Sequence, residues 1–173
     1  MCDVSPQRDV FYMELALAEA KAAALRGEVP VGAVVVSGNR VVGRGSNRRE
    51  ERRSPLSHAE VLAIDEASRS LQTWRLTECE IYVTLEPCIM CVGAILQARM
   101  RGLVFGCLDM KAGAVESLYQ LCEDERLNHR LPVRRGVLGG QCAILLEDFF
   151  SELRTRKKQI RPAERWPSPV EGA

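Results

Sequence analysis

Two short segments carry residue types that could do chemistry together: His58-Ala59-Glu60 and Pro87-Cys88-Ile89-Met90-Cys91. One imidazole and two thiolates make a zinc ligand set, and three protein ligands leave a tetrahedral position for water, the open arrangement of a catalytic site. Bound zinc brings the pKa of that water down to roughly 7, so a nucleophile is available near neutrality. His58, Cys88 and Cys91 are therefore the candidate metal ligands, with one Zn2+ as the cofactor. Glu60 is two residues from a ligand and is not needed as one, so it is placed to collect the water's proton and pass it on. Each motif falls where a helix should start, and two cysteines three apart there present both sulfurs to one side. Exposed N–H groups and the helix dipole favour the thiolate forms.

Each half also has a plainer reading. Ser57-His58-Ala59-Glu60 matches a capping box, in which Glu60 bonds back to the Ser57 N–H. His58 alone is an ordinary polar residue for a helix start, and Cys88-x-x-Cys91 alone is also the pattern of a redox pair or of two packed thiols. One His-x-Glu and one Pro-Cys-x-x-Cys in the same chain is a narrower pattern than either half, and it resembles the signature of zinc nucleobase deaminases.

The elements that must position these residues follow from periodicity. Phe11, Leu15, Ala18, Ala22 and Leu25 mark an amphipathic first helix that Gly27 is placed to end. Val31 to Val36 reads as a buried strand, Ser37-Gly38-Asn39 as a turn, and Val41-Val42 as the return strand, with loop from Gly43 to Pro55. A second helix should open near Ser57, with Ala59, Leu62, Ala63, Ala67 and Leu71 inward. Ile81 to Leu85 is a strand, and Pro87 suits the first turn of a short helix with Met90, Ala94, Ile95 and Ala98. Leu103 to Phe105 is a further strand. One short helix is expected at Val115 to Cys122, then a strand at Val133 to Val137 and a final helix through Cys142, Leu145, Leu146, Phe149 and Leu153. Strands alternating with helices indicate an α/β sandwich on a sheet that is mostly parallel apart from the first hairpin. Residues 6–160 should form one domain, and residues 161–173 a flexible tail.

Composition narrows the setting. The 173 residues, 46% hydrophobic and 27% charged, suit a single core. No apolar run approaches the roughly 18 residues of a membrane span, and the start lacks a basic segment leading into an apolar one. Seven cysteines, an odd number, argue against a disulfide framework and for a reducing cytoplasm. Net charge is only +1, but Arg44, Arg48, Arg49, Arg52 and Arg53 cluster in one region, and Arg154, Arg156, Lys157, Lys158, Arg161 and Arg165 near the C-terminus. Such clusters are often solvated faces, and together they also permit a phosphate-tracking surface.

Beyond the metal motifs, the chain resembles bacterial tRNA-specific adenosine deaminases from about Phe11 to Phe150. The resemblance runs through Glu28-Val29-Pro30-Val31-Gly32-Ala33-Val34, Asn47-Arg48, Tyr82-Val83-Thr84-Leu85-Glu86-Pro87-Cys88 and Val104-Phe105-Gly106. It continues through Asp109-x-Lys111-x-Gly113-Ala114, Ser117-Leu118 and Asn128-His129. It implies a cytidine deaminase-like, three-layer α/β/α sandwich, with helices on both faces of a mixed sheet of about five strands. The implied reaction converts the wobble adenosine of an arginine tRNA with an ACG anticodon to inosine. The implied partners are a tRNA anticodon stem-loop and a second copy of the chain in a homodimer.

The resemblance also assigns Asn47 to hydrogen-bonding the purine and Asp109 to the flipped-out nucleotide, with Phe149 and Phe150 shaping the anticodon-loop surface. From the residues alone, Asn47 also reads as a turn residue, Asp109 as a cap and the phenylalanines as half core. Cys107 and Cys122 read as packed thiols. Leu108 departs from the family, in which many members carry a basic residue there. Two other functions share the metal motifs: deamination of a free nucleobase or nucleotide of the guanine or deoxycytidylate type, and a non-catalytic zinc subunit that binds RNA.

Overall fold

Ser5 begins the first helix, its side chain accepting a hydrogen bond from the Arg8 N–H at 3.2 Å. Helix α1 (Pro6–Leu25) then buries Tyr12, Met13, Ala16, Leu17 and Ala20. The computed structural model describes residues 5–160, with side chains through residue 156. The expected tail, with Arg161 and Arg165, lies outside the described residues, as do the side chains of Lys157 and Lys158.

The sheet comprises β1 (Gly32–Ser37), β2 (Arg40–Ser46), β3 (Cys79–Leu85), β4 (Gly102–Cys107) and β5 (Val133–Arg135), in the order β2-β1-β3-β4-β5. Between the strands come α2 (Arg49–Arg52), α3 (Ala59–Leu71) and α4 (Ile89–Gln97), and α5 (Gly139–Ile160) closes the fold. Alternation along the strands divides the core into two layers. Val34, Val36, Tyr82 and Val104 pack with residues of α1 and with Cys142 of α5. Ala33, Val35, Ile81, Val83, Leu103 and Phe105 pack with Ala59, Ala63 and Ala67 of α3 and with Val92 and Ile95 of α4. The result is the mixed, three-layer α/β/α sandwich. Among the described residues no helix is long and apolar enough to cross a membrane.

Four local expectations need correction. The sheet is parallel only between β3 and β4 and between β4 and β5, because β1 is antiparallel to β3 as well as to β2. The crossover through α3 therefore joins two like-directed strands, β2 and β3, that lie on either side of β1. The segment Val115 to Cys122 contains turns and no helix. Pro87 lies before the N-cap Cys88 and outside the first turn of α4, which begins at Ile89. Finally, Gly43 to Ser46 continues strand β2 and Arg49–Arg52 form the short helix α2, so only the flanks of α2 are loop.

Gly43 and Gly45 are strand residues because helix α3 lies directly on them. A Cβ at Gly45 would overlap the Ala59 carbonyl, and one at Gly43 would overlap the Ala63 carbonyl. Small residues on both elements permit this approach: glycines on β2, and Ala59, Ala63 and Ala67 on α3. The helix start that carries His58 and Glu60 is thereby seated at the end of β2. At the opposite edge, Arg134 pairs with Asp9 at 2.7 Å and with Glu80 at 3.0 Å, tying β5 to α1 and β3.

Gly45→Ala should therefore destabilise the protein by about 1–3 kcal/mol through overpacking. Gly140→Ala, in α5 with no neighbour within 4 Å of an added Cβ, should be neutral or slightly stabilising. Urea unfolding of both variants checks this contrast.

Candidate active site

Strand directions bring the functional residues to one edge of the sheet. The carboxyl ends of β2, β3 and β4 and the amino end of β1 meet there, since Gly32 pairs with Ser46 and Leu85 with Cys107. In open α/β sheets this is the edge where ligands bind. The chain leaves β2 for the start of α3 and leaves β3 for the start of α4, so two helix N-termini converge.

His58 is the N-cap of α3 and Cys88 the N-cap of α4, and neither side chain caps its own helix. Both side chains are instead turned to each other. His58 Nδ1 is 3.7 Å from Cys88 Sγ and 3.4 Å from Cys91 Sγ. The candidate ligand atoms of the three residues all lie within 4.8 Å of one another, a grouping that could hold a metal ion. His58 and Cys88 are half-buried and Cys91 is fully buried.

The electrostatics of the cluster fit a cation. The Cys88 thiol is pushed down to about 3, chiefly by its hydrogen bond with Cys91 and further by His58, against the opposing effect of burial. Cys91 is pushed far up, because it gives its hydrogen to Cys88 and is buried near Glu60. His58 is raised by its hydrogen bond with Cys88. Two thiolates and a carboxylate can all ionise this close together only with a positive charge among them, and imidazole plus thiolates is a donor set that zinc prefers.

Glu60 is buried beside this cluster, 4% exposed, and burial raises its carboxyl above the usual range. The capping-box reading fails on geometry. The N-cap is His58 rather than Ser57, which puts Glu60 one position too early, and the Ser57 N–H is taken by the Ser54 carbonyl at 3.2 Å.

His58, Glu60 and Cys88 line a cavity of about 470 Å³ together with Asn47 and Asp109. Its other walls come from Val29 and Val31 before β1, from the Leu108–Ala112 segment after β4, and from Leu146 and Phe150 of α5. Asn47 is buried, and its Nδ2 donates to the Val29 carbonyl at 3.3 Å, which leaves one N–H and Oδ1 for a ligand. Asp109 fulfils its capping reading: its Oδ1 accepts from the N–H groups of Lys111 and Ala112 at 2.9 and 3.2 Å. It reaches the cavity as well.

The remaining sequence candidates divide. Phe150 is at the cavity, whereas Phe149 is half-buried and meets it edge-on at 5.5 Å. Arg49 lines the cavity, while Arg44, Arg48 and Arg52 line a separate groove with Arg69. Asn128 and His129 are structural here, holding Arg99 and the Met100 carbonyl. The six described cysteines are free thiols, and burial pushes Cys107 up to about 11 and Cys122 to about 12, as packed thiols should be.

Two buried carboxylates near the site, Glu28 and Glu86, carry no signal of their role in the motifs. Glu28 accepts from the Glu51 N–H at 2.9 Å and anchors α2. Glu86, just before Pro87, gathers the loop after β4 through several N–H groups. What marks them instead is a place inside an otherwise apolar stretch next to functional residues.

Comparison with known proteins agrees with this geometry. The family model for MafB19-like deaminases matches residues 8–154. The tRNA-specific adenosine deaminase of Streptococcus pyogenes serotype M1 is 44% identical over 154 residues, covering 89% of this chain and 90% of the relative. The chain belongs to the tRNA-specific adenosine deaminase family. Its counterpart from Bacillus subtilis is 46% identical over 89% of this chain and 96% of its own length. A solved structure described as a study of A-to-I editing by tRNA:A34 deaminases superposes with a TM-score of 0.76 at 43% identity, over 79% of this chain and 99% of that one.

Burial gives Glu60 a testable signature in metal-free protein. A carboxyl whose folded pKa is raised contributes stability at low pH, below its unfolded pKa, and loses it as pH rises through the folded value. Metal-free Glu60→Gln should thus be more stable than wild type near neutral pH, with the difference closing toward about pH 4. Thermal melts across pH check this; lower stability of the variant at neutrality would restore a structural role for the carboxylate.

Proposed function

We propose that this protein is a zinc-dependent hydrolytic deaminase that converts the wobble adenosine of a tRNA, position 34, to inosine, in an arginine tRNA with an ACG anticodon. The observation that carries the reading is the convergence of His58, Cys88 and Cys91 with buried Glu60 on one cavity, in a family member.

Zinc held by His58 Nδ1 and the two sulfurs would supply Lewis-acid activation of water near neutral pH. Glu60 takes one proton from the attacking water and delivers it to adenine N1, then takes the second from the new C6 hydroxyl and delivers it to the departing amine. A C6–O bond forms, the C6–N bond breaks, and one water becomes inosine's oxygen as ammonia leaves. Burial disfavours the charged form of the Glu60 carboxyl, which helps it take up the proton it must later donate.

Asn47 offers its free N–H and Oδ1 to the purine, and Asp109 stands beside the nucleotide. The cavity is of the size small-molecule sites use and suits one base extruded from a loop. Leu108, Met110 and Phe150 are exposed apolar side chains at this cavity, which neighbouring unstacked bases can stack on or pack against. Arg49 lies within reach of a phosphate. The homodimer is supported by Ile89, Leu118 and Tyr119, each about half exposed on segments that the Cys88–Gly113 bridge holds together. The free thiols suit the cytoplasm.

Purified protein should hold about one zinc per chain and form inosine in an ACG anticodon stem-loop, with Glu60→Ala keeping the metal and losing at least about a hundredfold in turnover. The assay is inosine formation across a panel of anticodon stem-loops, guanine and deoxycytidylate. Turnover of a free base without the stem-loop would replace the RNA substrate. A zinc-loaded chain inactive on every substrate would point to a binding subunit.

A further inference from the structure

Leu108 to Ala112 form one wall of the cavity, yet the segment from there through Ser117 belongs to no helix or strand. The side chain that does most to hold it comes from just after β3. Glu86, 2% exposed, receives five hydrogen bonds. Its Oε1 accepts from the N–H groups of Val115, Glu116 and Ser117 at 3.0, 2.7 and 2.9 Å. Its Oε2 accepts from the Asp109 N–H at 3.0 Å and from the Ser117 hydroxyl.

Main-chain bonds stitch the same two segments. The Glu86 N–H donates to the Cys107 carbonyl at 2.8 Å, the Ala114 N–H to the Pro87 carbonyl at 2.9 Å, and Cys88 forms an antiparallel bridge with Gly113. Gly113 is obligatory at that crossing, because a Cβ there would overlap the Glu86 carboxylate.

We propose that Glu86, which itself borders the substrate cavity, is a positioning residue that fixes the Leu108–Ala112 wall against the turn bearing Cys88, so that substrate affinity depends on a carboxylate whose oxygens are spent on that wall. The proposal rests on the reading that this cavity receives the substrate. The residue type matters because all five partners can donate, and a carboxylate is acceptor-only on both oxygens. In Glu86→Gln the amide oxygen serves the three N–H groups at residues 115–117, and the NH2 then faces the Asp109 N–H, donor against donor. The Ser117 hydroxyl can reverse its role; the Asp109 amide cannot. The bond lost is therefore the one at the wall itself, two residues from the Cys107 end of β4.

The experiment compares KM, kcat and zinc content for wild type, Glu86→Gln and Gly113→Ala with the stem-loop substrate. We expect zinc to stay near one per chain and KM to rise about tenfold, as for one buried charge-assisted hydrogen bond, with kcat changing less. A merely structural role would lower the amount of active enzyme, so kcat per total protein would fall with KM unchanged. Ser117→Ala keeps the Asp109 bond and should raise KM less than either. KM within twofold of wild type in both Glu86→Gln and Gly113→Ala would overturn the proposal, as would activity that falls only in step with zinc. If wild type acts on a free base instead of the stem-loop, the proposed RNA substrate fails. The same KM comparison with that base still decides the role of Glu86.

Discussion

The site depends on two helices beginning at the same edge of one sheet, near enough that the N-cap side chains of both face each other. His58 and Cys88 are far apart in sequence, and no local interaction brings them together. What does so is the packing of α3 onto β2 through Gly43 and Gly45 on one side, and the direct passage from β3 through Glu86-Pro87 into α4 on the other. Neither N-cap side chain serves its own helix. The residue types best suited to the caps have been given up for groups that meet across the gap, which places a thiolate, an imidazole and a second thiol where a cation is the natural fourth member.

The same edge is organised on its substrate side by buried carboxylates. Glu60 is held beside the cluster at a raised pKa, whereas Glu86 is held below the usual range: burial alone would raise it, but the hydrogen bonds from Ser117, Glu116 and Asp109 outweigh burial. The two groups differ because their surroundings do. Glu60 faces sulfurs and a cavity and is suited to exchange a proton; Glu86 faces N–H groups and stays an anion that orders a loop. Glu28 does similar work for α2 and the arginines beside Asn47.

The metal ligands and most helices are legible in the residues because periodicity and ligand spacing are local, whereas the three layers follow only from the family resemblance. The failures share a cause. Gly43 and Gly45 read as loop because a missing side chain looks the same whether it serves a turn or a close helix contact. The Val115–Cys122 segment was taken for helix because its order is imposed by a carboxylate some thirty residues earlier, with Glu86 bonding Ser117 at a separation of 31. The direction of β1 against β3 escaped because a buried strand reads alike in parallel and antiparallel ladders. Asp109 has a capping reading and a substrate reading, and the structure shows the cap in a residue that also lines the cavity.

The central claim is that the two helix starts build one zinc site with an open position. Zinc K-edge X-ray absorption of the purified, metal-loaded protein tests it most directly. Two sulfur scatterers are expected, with the remaining positions filled by nitrogen and oxygen, and one sulfur should be lost in Cys88→Ser. Four sulfur ligands, or a shell of nitrogen and oxygen alone, would contradict it.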